Sequence, residues 1–362
     1  MGNIRPDALE RSLMILLTGG AGFIGSAFVH AWLAAPRGPL LVLDALTYAG
    51  NLHNLTGFQG PLHFVHGSVC DAPLVRALLA EHRPRAVIHM AAESHVDRSI
   101  AAPGAFVRTN VEGSFVMLDE ATHHWQALPA AERDAFRFLQ VSTDEVYGSL
   151  AHDAAPATED APCRPNNPYA ATKAAADHLA RAYHRTHGLP VLTTRCGNNY
   201  GPRQFPEKLI PVAIARARAG QPIPVYGDGL HRRDWIHVDD HCAALLRVLD
   251  AGRPGEVYNI GARAEMPNIA LVAAVCTALD ELAPRPRGRY AELITPVPDR
   301  PGHDRRYSLD PSRVETELGW RPKHELRAGL RDTVRWYLEH EDWLAAIADG
   351  SYRRLTRLED AA

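Results

Sequence analysis

The chain has almost no lysine. Lys173, Lys208 and Lys323 are the only three among 39 basic residues in 362, and arginine supplies every other basic side chain. Either residue can carry an exposed charge, so a chain that nearly always uses arginine is expected to keep lysine where a compact ammonium is required. Neighbouring residues support this for Lys173 and Lys208; Lys323 is as readily a chance survival. Paired cysteines are also lacking. Cys70, Cys163, Cys196, Cys242 and Cys276 are odd in number and widely spaced, with no CxxC and no zinc-type cluster. That pattern argues against a disulfide framework, gives no reason to expect a metal, and points to the reducing cytoplasm. No apolar stretch approaches the roughly 20 residues that span a bilayer. The opening Met-Gly-Asn-Ile-Arg-Pro has no signal-type apolar region, and its Pro6 departs from the myristoylation pattern; residues 1–12 read as a solvated extension. A net charge of −3 gives no electrostatic case for nucleic acid or an anionic membrane, while local arginines could still hold a phosphorylated small molecule.

What is present is a chain long enough to bury a large core, 46% hydrophobic, in one large domain or two sharing a cleft. Short apolar runs at 13–18, 39–44, 62–66, 86–90, 136–142 and 191–194 suit strands buried on both faces. Helical segments lie between most of them, including 72–82, 105–124 and 169–187. This alternation predicts a doubly wound α/β domain with a parallel sheet. Beyond Thr194 it gives way to a proline-rich stretch, and apolar periodicity returns at 236–250 and 257–260. The expected organisation is a dinucleotide-binding Rossmann domain from 13–195 and 231–262, a smaller discontinuous α+β substrate domain from 196–230 and 263–350, and a tail from 351.

Thr18-Gly19-Gly20-Ala21-Gly22-Phe23-Ile24-Gly25 follows the first strand and opens a helix. Glycines there permit a tight turn and let a pyrophosphate approach backbone N–H donors at the helix start. Asp44 closes the second strand 19 residues past Gly25, where a carboxylate can accept both ribose hydroxyls of an adenosine and would repel a 2′-phosphate. A capping Asp would share the residue type but not the spacing. No arginine follows in Ala45-Leu46-Thr47, so NAD is favoured over NADP.

Tyr169 and Lys173 are four apart in a helical segment and so share one face. An ammonium beside a phenol favours the phenolate, and a positive nicotinamide should add to the effect; the phenolate can then take a proton from a sugar hydroxyl. Thr143-Asp144-Glu145 directly follows an apolar run, at the end of a parallel strand where such sheets bind ligands. Two carboxyl groups in different protonation states can divide the removal of one proton and the delivery of another, which is what elimination beside an oxidised sugar carbon requires.

The blocks GGAGFIG, AAESHVDRSI (91–100), STDEVYG (142–148), YAATK, NNYGPRQFPEKLIP (198–211), YGDGLHRRDW (226–235) and DRPGHDRRY (299–307) resemble the nucleoside-diphosphate-glucose 4,6-dehydratases, and among them most closely those acting on dTDP-glucose. These belong to the extended short-chain dehydrogenase/reductases, and the likeness covers residue 13 to about 340. It implies that Tyr169 is the base for C4 oxidation, with Lys173 its partner and Thr143 a donor to the C4 oxygen. Asp144 would protonate the leaving C6 hydroxyl and Glu145 would take the C5 proton, with NAD tightly bound and recycled. It further implies NAD contacts from Gly19, Gly22, Phe23, Ile24, Gly25, Asp44, Thr47, Ser68, Val69, Ala91, Ala92, Glu93, Thr109, Tyr169, Lys173 and Asn199. The nucleotide sugar would meet Ser94, Thr143, Asn198, Lys208, Leu209, Pro224, Tyr226, Arg233, Asn268, Arg300 and His303. A pyrophosphate calls for cations, and Lys208, Arg233 and Arg300 are those of the matched blocks. A homodimer through the helices near 105–124 and 169–187 is also implied.

The chain departs from the pattern at Gly67-Ser68-Val69, where Gly-Asp-Ile is usual, at Gly197, where Ser is usual, and around 264–268. Three rival readings stand beside this one. A 4-epimerase would share fold, cofactor, Tyr and Lys but has no need of the acid pair. A dehydratase of UDP-, CDP- or GDP-sugars, or a relative eliminating water across C5 and C6 without final reduction, would keep it. A non-catalytic NAD-binding regulator would need none of the four groups together.

Overall fold

The computed structural model describes residues 13–58, 60–355 and 358. The expected extension over 1–12 lies outside the described residues, as does most of the expected tail after 355. In chain order the strands are β1 (Ile15–Thr18), β2 (Leu40–Asp44), β3 (Leu62–His66), β4 (Ala86–His89), β5 (Arg137–Thr143) and β6 (Val191–Cys196), followed by β7 (Asn198–Tyr200), β8 (Ile223–Tyr226), β9 (Arg232–His237), β10 (Val257–Ile260), β11 (Glu265–Pro267) and β12 (Ile294–Val297).

Seven strands form a parallel sheet in the order β10-β6-β5-β4-β1-β2-β3. The continuous apolar runs are explained by its two covered faces, because successive strand residues point to opposite sides. Ile15, Leu17, Leu40, Val42 and Ile88 pack with the helices Phe23–Leu33 and Val238–Ala251. Leu16, Leu41, Leu43 and Val87 pack on the other side with Ala72–His82, Gly113–Ala127 and Pro168–His187. The fold is therefore a doubly wound Rossmann-type α/β fold. Its strand order reverses between β1 and β4, which opens a crevice at their carboxyl ends.

Smaller sheets stand beyond β6: β11-β9-β7 and β12-β8. With the helices Leu209–Arg218, Asn268–Leu282 and Leu326–Glu339 they enclose a third core around Tyr200, Ile214, Val225, Trp235, Val275 and Val334. The chain goes back to the main sheet at β10, which pairs with β6.

The helix expected over 105–124 is interrupted. A short helix, Pro103–Phe106, runs into a π-wound turn, Val107–Glu112, before Gly113–Ala127 begins. The extra residue per turn lets Asn110 face inward. Its Oδ1 accepts from Glu93 N at 2.9 Å, and its Nδ2 donates to Glu93 O and Thr172 Oγ1, both at 3.0 Å. Apolar periodicity cannot show a one-residue insertion whose partners lie 17 and 62 positions away.

The helix Pro168–His187 is capped by Asn167, whose side chain accepts from Ala170 N at 2.9 Å, and it ends at left-handed Gly188. Its placement on β6 is fixed by Arg195, whose Nε donates to Asp177 Oδ2 at 2.9 Å with side chains 7% and 2% exposed. Asp177→Ala should leave a buried guanidinium without a counter-charge and cost about 3–5 kcal/mol. Denaturant unfolding checks this, and replacing both partners with apolar residues should recover most of the loss. A single-variant cost below about 1 kcal/mol would contradict it.

Candidate active site

The residues expected for a dinucleotide gather at the carboxyl ends of β1, β2 and β4. Gly19 has φ +78, and a Cβ there would lie 2.8 Å from Ala91 N, so turn and neighbouring strand meet backbone to backbone. A Cβ on Gly25 would lie 2.0 Å from Gly19 O. At Gly22 the outer side is open: the nearest atom to an added Cβ is Gly19 O at 3.4 Å. Gly22 caps the helix Phe23–Leu33 with no side-chain hydrogen bond, and no acid stands in its first turn. The first N–H groups of that helix are left for an anion of pyrophosphate size.

Asp44 is buried, and its carboxyl is raised above the usual range by burial, against donors from Leu46 N and Ala21 N, each at 2.8 Å. Each oxygen thus keeps lone-pair capacity for one further donor, the number that two ribose hydroxyls supply. These residues fit an adenine dinucleotide. Of the other expected contacts, Ser68 and Val69 follow β3, Ala91, Ala92 and Glu93 follow β4, and Thr109 lies on the π turn. Thr47 is exposed after β2, and Asn199 on β7 is held by His241 at 2.9 Å.

The acid pair sits on a single 3-10 turn, Asp144–Tyr147, at the end of β5. Thr143 caps it by accepting from Glu145 N at 3.3 Å. Gly148 closes it at φ +77, where a Cβ would run into Arg164 O at 2.1 Å. The turn directs Asp144 inward, 3% exposed, and leaves Glu145 half-buried. Burial first, and the adjacent Glu145 charge second, hold the Asp144 carboxyl well above the usual carboxylate range, with Arg233 opposing. Thr143 Oγ1 lies 3.2 Å from Asp144 Oδ1, while Oδ2 is buried with no hydrogen-bond partner. Glu145 Oε2 accepts from Asn167 Nδ2 at 3.2 Å, and Tyr307 OH, which donates to Asp304 Oδ2 at 2.6 Å, lies 3.3 Å from it.

Tyr169 and Lys173 are both buried on the inner side of their helix. Lys173 Nζ donates to Val141 O at 2.6 Å, which ties it to β5 two residues before Thr143. Burial, then the Glu145 charge, push the Tyr169 phenol well above its ordinary value, and a hydrogen bond with Thr143 works the other way. The protein's own groups therefore favour the protonated phenol, and a positive charge bound beside it would favour the phenolate.

Across the cleft, Lys208 Nζ donates to Ser94 O at 2.8 Å; burial lowers its ammonium, and the charges of Glu207, Glu145, Arg300 and Asp97 all act on it. Lys208 also precedes Leu209 at the uncapped start of the helix Leu209–Arg218. Tyr226 OH and Arg300 Nη1 reach the two oxygens of Asp97 at 3.1 and 3.4 Å. Asn198 Oδ1, Asn268 Oδ1 and Arg300 Nε are buried without partners, so three of the expected sugar-nucleotide contacts hold polar atoms that the protein does not satisfy. Arg233 is buried on β9, but its guanidinium already donates to the carbonyls of Arg232, Arg305 and Asp304. Pro224 on β8 offers shape only. His303 lies against Asp299 and His231.

Sequence reasoning passed over Asn110, Asn167, Asp97 and Tyr307. Asn167 had a signal, an Asn just before a helix that starts with Pro. Tyr307 lay in a quoted block, but its reach to Glu145 spans 162 positions.

The sequence profile of a family described as GDP-mannose 4,6 dehydratase matches residues 16–333. The dTDP-glucose 4,6-dehydratase of Xanthomonas campestris pv. campestris strain B100 is 55% identical over 342 residues, covering 93% of this chain and 97% of its own. Among solved structures, the dTDP-glucose 4,6-dehydratase of Streptomyces venezuelae with NAD bound aligns with TM-score 0.82 and 46% identity, covering 91% of this chain and 98% of that one. The UDP-glucose 4-epimerase of Thermotoga maritima aligns with TM-score 0.79 at 29% identity, covering 90% and 99%.

Asp44→Ala should weaken NAD binding by about 2–3 kcal/mol, roughly 30- to 150-fold, through loss of charge-assisted bonds to the ribose. Calorimetric titration of the NAD-free protein measures this, and unchanged affinity would defeat the ribose assignment.

Proposed function

The chain belongs to the dTDP-glucose 4,6-dehydratase family of the extended short-chain dehydrogenase/reductases, and from that membership we propose how its residues convert dTDP-glucose to the 4-keto-6-deoxy sugar. Its cofactor is NAD, which when bound would supply the hydride acceptor for C4 and the hydride donor for C6. Gly19, Gly22, Phe23, Ile24, Gly25 and Asp44 would hold its pyrophosphate and adenosine ribose, with Thr47, Ser68, Val69, Ala91, Ala92, Glu93, Thr109 and Asn199 around them.

The observation that carries the assignment of roles is the buried Asp144 carboxyl, raised well above the carboxylate range, beside a half-buried Glu145. Tyr169, with Lys173 below it, takes the proton of the C4 hydroxyl, and Thr143 donates to the C4 oxygen. The new ketone acidifies C5–H. Glu145 removes that proton, held in place by Asn167 and Tyr307, and Asp144 gives its proton to the C6 hydroxyl, which leaves as water. The unpartnered Oδ2 supports Asp144 as the group meant to meet substrate. A 4-epimerase has the same fold and NAD but no step that uses a protonated acid beside a base, so the pair favours dehydration.

Lys208, Arg300 and Arg233 would face the pyrophosphate, with Ser94, Asn198, Leu209, Pro224, Tyr226, Asn268 and His303 around the nucleotide sugar. Arg233 acts mostly by positioning, because its donors already hold the 304–305 backbone. Two-domain organisation over the boundaries given above is part of the same reading.

A homodimer through the helical faces near 105–124 and 169–187 is supported by Ile100, Val107 and Phe115, apolar side chains left 38%, 53% and 45% exposed on adjoining helical segments. A cytoplasmic location is supported by five free cysteines. No helix among the described residues is long and apolar enough to cross a membrane.

Glu145→Gln should leave C4 oxidation possible and stop elimination. Turnover of dTDP-glucose should fall by about 10²- to 10⁴-fold while the absorbance of reduced nicotinamide builds up on the enzyme. Unaltered turnover would remove Glu145 as the base.

A further inference from the structure

Residues 341–354 run from the smaller sheets back to the dinucleotide crevice, as the helix Glu341–Ala348 and the turn Ser351–Arg354. Trp343 and Leu344 pack on the third core, with the Trp343 ring 5.4 Å from Trp336 and 6.1 Å from Tyr337. From there the indole Nε1 of Trp343 donates to Asn54 Oδ1 at 2.9 Å. Asn54 is 1% exposed and is a junction: its Nδ2 donates to Ala21 O in the glycine turn at 3.1 Å, and its own carbonyl lies 3.0 Å from His30 Nε2 on the helix that the turn opens. Further along, the buried Tyr352 hydroxyl donates to Tyr48 O at 2.5 Å and accepts from Arg353 Nε at 2.9 Å.

Both tethers fall on one segment, residues 45–55, which directly follows Asp44. The segment turns back at Gly50, whose N–H donates to Thr47 O at 3.0 Å and where a Cβ would lie 3.2 Å from Asp44 Oδ1. Asn51 N donates to the same Ala21 O at 3.0 Å. The segment is therefore laid against the Asp44 carboxyl and the glycine turn, and two of the hydrogen bonds that keep it there come from Trp343 and Tyr352. Local spacing conceals this, because the partners are 289 and 304 positions apart and Tyr352 falls in what reads as a tail.

We propose that Trp343 and Tyr352 are positioning residues for NAD: acting through Asn54 and Tyr48, they hold the 45–55 segment closed beside the adenosine ribose and so slow release of the cofactor. The inference rests on the reading above, in which Asp44 and the glycine turn hold that half of NAD. For the adenosine end to leave, the segment must move away from Asp44, and that motion breaks both tethers or pulls Trp343 off the third core. A loop that must open before a ligand departs sets the rate of departure. A cofactor restored in every turnover has no need to leave, so a slow exit costs the reaction nothing.

Protein loaded with radiolabelled NAD and chased with unlabelled NAD reports the release rate without any turnover. Loss of one neutral hydrogen bond is worth about 2- to 12-fold. Trp343→Phe and Tyr352→Phe each keep a ring and lose a donor, so each should speed release by that factor, and the double variant should release NAD faster than either. Trp336→Phe separates positioning from packing. Trp336 shares the aromatic cluster with Trp343, but among the described residues its side chain makes no hydrogen bond, so release should stay at the parent's rate. Release at the parent's rate in the double variant, or equal acceleration by Trp336→Phe, would overturn the proposal. Asp44→Ala, run beside them, tells this failure from failure of the ribose assignment. Faster release in Asp44→Ala with none in the double variant removes the strap alone. Faster release in the double variant with none in Asp44→Ala removes the ribose assignment and leaves the strap standing.

Discussion

Burial holds the Asp144 carboxyl well above the ordinary carboxylate range. Asp144 and Glu145 are neighbours on one short turn, yet the turn encloses the first and leaves the second half-open to the cleft. Removing a charged carboxylate from water costs so much that an enclosed acid beside a second acid stays neutral. In the proposed mechanism this one segment presents an acid and a base side by side. Dehydration next to a ketone needs that division, and the Rossmann fold alone does not supply it.

In the proposed mechanism the remaining architecture holds this pair against a sugar. β5 delivers the turn at its carboxyl end, Lys173 is tied to the same strand through Val141 O, and Thr143 caps the turn through Glu145 N. Asn110 links the loop after β4, where the proposed cofactor residues stand, to the Tyr169 helix. The far wall comes from the smaller sheets, whose Lys208, Arg300 and Tyr226 are held by Ser94 O and Asp97 from the first unit. A cleft closed by polar contacts of this kind is fixed in shape but keeps buried donors and acceptors in need of a ligand.

Much of this was legible in the residues themselves. The apolar runs matched the strands to within a residue or two because both faces of the central strands are buried; the edge strand β3 is only half-buried, yet it and the helix Ala72–His82 fall where the pattern put them. The glycine turn, Asp44 and the Thr-Asp-Glu turn were legible because each is a local motif at a strand end. What escaped was long-range or non-periodic. The π turn at Val107–Glu112 adds a residue without altering composition. The partners of Glu145, the Asp97 hub and the engagement of Arg233 by backbone carbonyls join positions far apart in the chain. Lys173 and a positive nicotinamide were expected to lower the Tyr169 phenol; burial and the nearby acids, which local spacing does not show, push it the other way.

The most direct test of the account is the fate of deuterium placed at C4 of dTDP-glucose. If one site performs oxidation, elimination and reduction on a sugar that never leaves, the label should be found at C6 of the 4-keto-6-deoxy product, with solvent hydrogen at C5. Loss of the label to solvent, or a product without it, would contradict the account.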